Sequence, residues 1–437
     1  MTVFSYSGAS PALTTEDAER IFATECCLQP PDPALPLAPV RRVALVAESF
    51  LPKVDGVAKT AFLTLRYLQR TGREVLVLAP ATAPSAIGPT RIVRLPSFGP
   101  HFYPESRLAL PLPVISRELE RFQPDLIHVF SPALASTRVT AHARYWRIPL
   151  VATYQTDLPA YAPYYRLGLL SRPIQWWLRY EHRLSTLTLV PSPTTASHLR
   201  DQGYRRLRSW PRGVNSAHFH PQRRNPAMRA RLLNGRSPAS LLCLYVGRLS
   251  PEKRVELLLE LARTPGVALT IAGDGPKRAE LERIFAGTGV HFTGYLHGDQ
   301  LAEAYASADL FVFPGVTETF GQVVQEAQAS GLPVLTVNQG GVRDLVDEGE
   351  TGFVLPPDGT AFAQAAAALR DHSALRTQMS AAARARAEQQ PWERILAGLE
   401  AHYREALALT VRYNRLYPST PASRRSTRQP PLKDSYA

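Results

Sequence analysis

Glu318 and Glu326 stand eight positions apart, and the run between them, Thr319-Phe320-Gly321-Gln322-Val323-Val324-Gln325, follows an apolar strand pattern that stops at Pro314. A Thr-Phe-Gly step in that setting opens a helix whose first backbone N–H groups lack intrahelical partners. Such a helix start attracts phosphate. Glu318 then stands at the ligand-facing mouth of a sheet. Glu326, about two helical turns further on at ~1.5 Å per residue, lies on a similar side of the helix. One carboxylate can meet a sugar and the other a ribose. Taken alone, the pair also reads as two solvated helix glutamates, so its surroundings decide.

Other residues with chemical potential fall after apolar strand patterns. Gly56, in Phe50-Leu51-Pro52-Lys53-Val54-Asp55-Gly56-Val57, lets backbone approach a phosphate just before a helix. Arg248 and Lys253, in Gly247-Arg248-Leu249-Ser250-Pro251-Glu252-Lys253, put a fork and a point charge in one strand-to-helix turn, a pair suited to a diphosphate. Gly273, in Ala272-Gly273-Asp274-Gly275-Pro276, and the pair Tyr295 and Leu296 belong to loops able to hold a nucleobase by backbone contacts and an apolar wall.

The elements that must position these loops alternate between strand-like apolar runs and helical patterns, as in βαβ units with a parallel sheet. One series covers 43–48, 75–79, 92–95, 126–130, 150–154 and 188–190. A second starts afresh at 241–246 and continues through 268–272, 291–293, 310–313, 334–336 and 352–355. The expected fold class is therefore α/β, with two Rossmann-like doubly wound domains facing across a cleft. The first is placed at 41–222 and the second at 236–390, with a Pro- and Arg-rich hinge near 211–238. A last helical pattern, 391–415, has no strand after it and is expected to return to the first domain. Residues 1–40 and 416–437 are expected to be disordered extensions.

The formal net charge of +13 over 437 residues is concentrated in two places. Residues 172–236 hold 13 Arg against two acids, Glu181 and Asp201, a net +11, and residues from 412 onward add +5. Concentrated positive charge seeks polyanions. Trp176 and Trp177 sit among Arg172, Arg179 and Arg183 as in a helix at a headgroup boundary, which points to an anionic membrane surface. The alternative is core tryptophans beside solvated arginines. Apolar runs are strand-sized and interrupted, so no membrane-spanning segment or secretory signal is expected. The three cysteines, Cys26, Cys27 and Cys243, suggest no disulfide framework or metal cluster, which fits a cytosolic protein. A dinucleotide oxidoreductase would need Gly-x-Gly-x-x-Gly after its first strand, and Ala47-Glu48-Ser49-Phe50-Leu51 offers none. No nucleic-acid recognition helix interrupts the basic segment, so nucleic acid is not an expected partner.

Assembled in this order, the runs Gly-Arg-Leu-Ser-Pro-Glu-Lys, Ala-Gly-Asp-Gly-Pro, Glu-Thr-Phe-Gly-Gln-Val-Val-Gln-Glu, Ala-Ser-Gly-Leu-Pro-Val and Gly340-Gly341 closely resemble the nucleotide-sugar domain of glycosyltransferase family 4, a retaining family of GT-B fold. The resemblance spans about residues 42–413 and is weakest in the first domain. It implies that Arg248 and Lys253 neutralise the donor diphosphate, that Glu318 sits by the donor hexose, and that Glu326 bonds the ribose hydroxyls. It also implies that Phe320, Gly321 and Gly56 meet phosphate. No Asp-x-Asp motif occurs, so no metal or other cofactor is expected. Arg, Lys and a helix start would stabilise the leaving group. Retention is understood in such enzymes as attack from the face the nucleotide leaves, the diphosphate oxygen taking the acceptor's proton.

The first domain departs from the family pattern. Where many members carry His, this chain reads Tyr154-Gln155-Thr156-Asp157, and Gln155 can hydrogen-bond but cannot titrate. Asp157 is the nearest carboxylate; it either orients the acceptor hydroxyl or caps a helix or turn. With Tyr154 on the acceptor side stand Arg212, which meets an acceptor anion or makes a hinge ion pair, and His128, which touches substrate or is structural. The Tyr-Gln-Thr-Asp and Arg-Gly-Val runs look most like the bacterial branch acting on membrane lipids, including GDP-mannose-dependent α-mannosyltransferases and sulfoquinovosyl and glucosyl relatives. The expectation is hexose transfer from a nucleotide sugar to a lipid or glycolipid at the inner face of the cell membrane. A soluble or polysaccharide acceptor, a nucleotide-sugar 2-epimerase and a non-catalytic sensor are the alternatives.

Overall fold

A computed structural model describes residues 14–25, 28, 32–99 and 107–418. Two sheets dominate it. The first has eight strands, ordered Leu207–Ser209, Leu187–Val190, Leu150–Thr153, Leu126–Phe130, Arg42–Ala47, Glu74–Pro80, Thr90–Leu95 and Ala86–Ile87, all parallel except the last pair. The second has six parallel strands, ordered His291–Gly294, Val267–Ala272, Leu241–Val246, Leu310–Phe313, Val334–Val337 and Gly352–Leu355. Central strands such as Leu126–Phe130 and Leu241–Val246 are buried at every position, because helices cover both faces of a parallel sheet. In each sheet the first strand lies between its sequence successor and a strand reached by crossing over, and ligands bind beyond the carboxyl ends at such a switch point.

The helix Trp392–Leu416 returns to the first domain, where Trp392, Ile395, Leu396, Leu399, Tyr403 and Ala406 join its core. Its Glu400 carboxylate accepts two bonds from Arg73 (2.7 and 2.8 Å), one from the Tyr67 hydroxyl (3.0 Å) and one from the Ala38 N–H (2.7 Å). Two passes of chain meet where the domains join. Val214 bridges Pro391, and a Cβ on Gly213 would lie 2.5 Å from the Trp392 Cα, which leaves no room for a side chain there.

Two expectations need correction. Residues 1–40 are not wholly without structure: Thr15–Glu25 is a helix, and Ala18, Phe22, Leu28 and Ala38 are buried in the first core, with Phe22 against Phe62. Residues 1–13 and the tail beyond 418, expected to be disordered, lie outside the described residues, as do Cys26 and Cys27. The hinge is also narrower than 211–238. Val214, Phe219 and the helix Pro226–Leu233, with Met228, Leu232 and Leu233 turned inward, belong to the second core. Their apolar spacing was masked by the surrounding Pro and Arg.

Candidate active site

The cleft between the sheets holds a cavity of about 560 Å³ walled by loops at the strand ends of both domains. On the second-domain side, two loops press backbone to backbone. A Cβ at Gly273 would come 1.9 Å from the Gly247 carbonyl, and one at Gly275 would come 2.4 Å from that of Leu249, and both glycines hold φ of +156°. Only glycine fits. This contact sets the turn that carries Arg248 and Lys253 onto the wall. Lys253 pairs with Glu318 and stands 5.7 Å from the Phe313 ring centroid. Beneath Glu318 the Gly340-Gly341 turn packs so closely that a Cβ on Gly341 would meet the Thr319 carbonyl at 2.0 Å. Phe320 and Gly321 follow on the wall, and Gly321, at φ +101°, starts the helix Gln322–Ala329 with no side-chain cap. Uncapped helix-start N–H groups and an Arg–Lys pair are the kind of groups that suit a phosphate.

On the first-domain side Gly56 opens the helix Gly56–Arg70, and nothing lies within 4 Å of where its Cβ would be. Asp55 caps that helix through the Ala58 N–H (2.8 Å) and pairs with Lys53 (2.9 Å). Gln155 lines the cavity. Its amide donates to the Thr153 hydroxyl (2.9 Å), its backbone carbonyl accepts from the Thr319 hydroxyl (2.6 Å), and its side-chain oxygen has no partner among the described residues. Leu158, Tyr161, Tyr165, Leu167, Ile174 and Trp177 make a largely apolar stretch of this wall, beside polar lining residues such as Lys53, Asp55, Arg107 and Ser131. Tyr165 reaches across it to Glu252 (3.0 Å).

Several expected residues lie elsewhere. Asp157 caps a helix: it accepts from the Ala160 N–H (3.1 Å) and is not among the residues lining the cavity. Tyr154 is buried against His182 and Tyr204, its phenol raised well above the ordinary range by burial and by the Asp157 carboxylate. His128 is wholly buried in the middle of a sheet; it stacks on Phe130 (4.2 Å) and bonds the Tyr403 hydroxyl (2.9 Å), and burial pushes its pKa down to about 3. It is structural. Leu296 is buried, and Tyr295 is partly exposed with its hydroxyl on the Asp274 carbonyl (2.8 Å); like Gly273, neither is on the cavity wall. Glu326 is buried too, and takes Lys59 from the first domain (2.9 Å) and the Tyr305 hydroxyl (3.3 Å) instead of facing the cavity. Arg212 does line it, and no carboxylate among the described residues makes the expected hinge ion pair.

Sequence reasoning missed Lys59 and Glu48. Glu48 ends the strand run 43–48 and lines the cavity. Its carboxylate accepts from the N–H groups of Ala109 (3.2 Å) and Ala135 (2.8 Å), while burial raises its pKa to about 7. An acid closing an apolar strand was a readable signal. Lys59 carried none, because its partner is 267 residues away. No group of three or more His, Cys, Asp or Glu able to hold a metal occurs among the described residues.

A family model described as Glycosyl transferases group 1 matches residues 234–386, and one described as Glycosyltransferase Family 4 matches residues 54–218. A GDP-mannose-dependent alpha-mannosyltransferase of Mycobacterium tuberculosis (strain CDC 1551 / Oshkosh) is 44% identical over 321 residues, covering 72% of this chain and 84% of that one. Sulfoquinovosyl transferase SQD2 of Arabidopsis thaliana is 39% identical over 331 residues, covering 74% and 65%. Sucrose-phosphate synthase from Thermosynechococcus elongatus shares the fold, with a TM-score of 0.71 at 23% identity over 84% of this chain and 99% of that one. A cleft with a cationic, helix-start wall, two doubly wound domains and these matches agree: the chain is a hexosyltransferase that belongs to glycosyltransferase family 4.

Proposed function

We propose that the protein transfers mannose from GDP-mannose, with retention of configuration, to a hydroxyl of a membrane lipid or glycolipid. The observation that carries this reading is the two-sided cleft: Arg248, Lys253 and an uncapped helix start on one wall face Leu158, Tyr161, Leu167, Ile174 and Trp177 on the other. A diphosphate suits the first wall, and the apolar stretch of the second suits a lipid acceptor. The donor is inferred from the mannosyltransferase relatives, one 44% and another, from Corynebacterium glutamicum, 37% identical. In this account Lys253 moves from Glu318 to the diphosphate as the donor enters, Glu318 turns to the hexose, and the cations carry the charge that develops on the leaving group. Glu326 reaches the ribose once Lys59 releases it.

The outer face of the same segment supports a membrane site. Leu169, Leu170, Trp176 and Tyr180 are exposed, Trp176 and Tyr180 stack at 5.9 Å, and Arg206 lies within the fields of Arg144, Arg183 and Arg205. Aromatic side chains among arginines suit a headgroup layer. No helix among the described residues is long and apolar enough to cross a membrane, so attachment is peripheral in this reading, at the inner face.

The test offers radiolabelled GDP-mannose, UDP-glucose, UDP-galactose and UDP-sulfoquinovose to the purified protein with diacylglycerol vesicles and a glycolipid extract. Label in the lipid phase from GDP-mannose alone is expected. Transfer only from UDP-sulfoquinovose would replace mannose by sulfoquinovose as the transferred sugar, and transfer only to water-soluble products would overturn the lipid reading.

A further inference from the structure

Arg212 follows Pro211 where the chain leaves the first domain, and it lines the cleft while only 5% exposed. Its Nη1 reaches the carbonyls of Trp210 (3.3 Å) and Pro211 (3.5 Å), both long, and its guanidinium lies 5.2 Å from the Trp210 ring centroid. A guanidinium has five N–H donors. Among the described residues no carboxylate pairs with it, and burial lowers its pKa to about 9, with no neighbouring acid opposing the shift.

Among the described residues, the other deeply buried cations are neutralised. Arg73 is clamped by Glu400, and Lys59 by Glu326. A buried charge without a partner is strongly destabilising, and one that persists in a cleft marks a place where a ligand supplies the missing charge. The planar fork matches a phosphate or carboxylate, which an ammonium would meet only as a point charge.

We propose that Arg212 is a substrate-anion receptor: its guanidinium binds a phosphate or carboxylate group of a substrate in the cleft. This rests on the cleft being the transfer site. The anion has two possible sources, the donor's diphosphate or an anionic acceptor headgroup, and the Arg248–Lys253 pair already serves the diphosphate from the opposite wall.

The test uses the full chain with Arg212→Met, which keeps an apolar stem of similar length, and Arg212→Lys, which keeps the charge without the fork. Thermal midpoint is measured with calorimetric binding of GDP and of inorganic pyrophosphate, and with KM for phosphatidylinositol and for diacylglycerol, each in phosphatidylcholine vesicles. The Met variant is expected to melt at or above the wild-type midpoint, because removing an unpaired buried charge relieves the fold. It should lose at least tenfold in one anion measurement. Loss in GDP binding assigns the donor; a rise in KM for phosphatidylinositol but not for diacylglycerol assigns the acceptor. The Lys variant should fall between the two. Should the Met variant fail to fold, the Lys variant decides by the same readings. Unchanged anion binding and unchanged KM values overturn the proposal. If the wild type transfers nothing to lipid, the function reading fails, yet calorimetric binding still decides on Arg212: a tenfold loss of affinity for pyrophosphate or for inositol 1-phosphate supports the receptor, and unchanged affinity for both rejects it.

Discussion

Replacing Lys253 by Met separates the chemistry of the cleft from its architecture. Lys253 and Glu318 form an ion pair with side chains 17% and 15% exposed, whereas Arg73 and Glu400 form one at 3% and 1%. Methionine keeps an unbranched apolar stem and removes the ammonium, which stands 5.7 Å from the Phe313 ring centroid. Glu318, left behind, is exposed enough to take water, so folding stability should change by less than about 1 kcal/mol. Activity should change far more. A charge-assisted hydrogen bond to the donor is worth about 1.5–3 kcal/mol. If the ammonium also meets charge developing on the leaving diphosphate, its removal should slow turnover about 10²- to 10³-fold, or about 2.7–4 kcal/mol. Initial rates against donor at saturating acceptor, measured beside a thermal melt, give both quantities from one preparation. A kcat/KM within threefold of wild type would refute the leaving-group role. A stability loss above about 3 kcal/mol with matching activity loss would show that the pair holds the fold instead.

Arg73→Met should do the reverse: leaving Glu400 buried with only Tyr67 and Ala38 as donors should cost about 3–5 kcal/mol in denaturant unfolding, with kcat per folded molecule unchanged, and a loss under about 1 kcal/mol would contradict the clamp. Burial holds His182 neutral down to about pH 3, whereas the unfolded chain protonates near 6.5, so stability is full above that value and is lost as pH falls below it. His182→Phe should therefore shrink the stability lost between pH 7 and 5 by about 2 kcal/mol, and an unchanged loss would reject the assignment. Glu318→Ala should abolish transfer while leaving the circular dichroism spectrum intact; full activity in that variant would remove Glu318 from the site. Changing Arg179, Arg183, Arg205 and Arg206 to Ser should weaken flotation with anionic vesicles, and unaltered flotation would discard the basic face as the docking surface.

What the sequence made legible was local. Continuous apolar runs such as 241–246 and 310–313 mark buried parallel strands wherever they occur, and the loops after them had to reach the cleft, so Arg248, Lys253, Glu318 and Gly56 were readable as wall residues. What escaped was set by partners far away in sequence. Whether His128 faces a ligand or a neighbour depends on Tyr403, brought in by the returning helix. Glu326 was placed by helical periodicity on the ligand side, and periodicity cannot foresee that Lys59 approaches from the other domain. The helix Thr15–Glu25 was hidden because its apolar face is completed only by Phe62 and its neighbours. Asp157 illustrates the opposite limit: its capping role was visible as an option, and only the position of the Ala160 N–H decided it.

The most direct measurement for the account is the anomeric configuration of the lipid product formed from GDP-mannose, read from the one-bond carbon–proton coupling at the new linkage. The account predicts an α-mannoside, the donor's own configuration. A β-mannoside, or a cleft that binds GDP-mannose and leaves the lipid unlabelled, would contradict it.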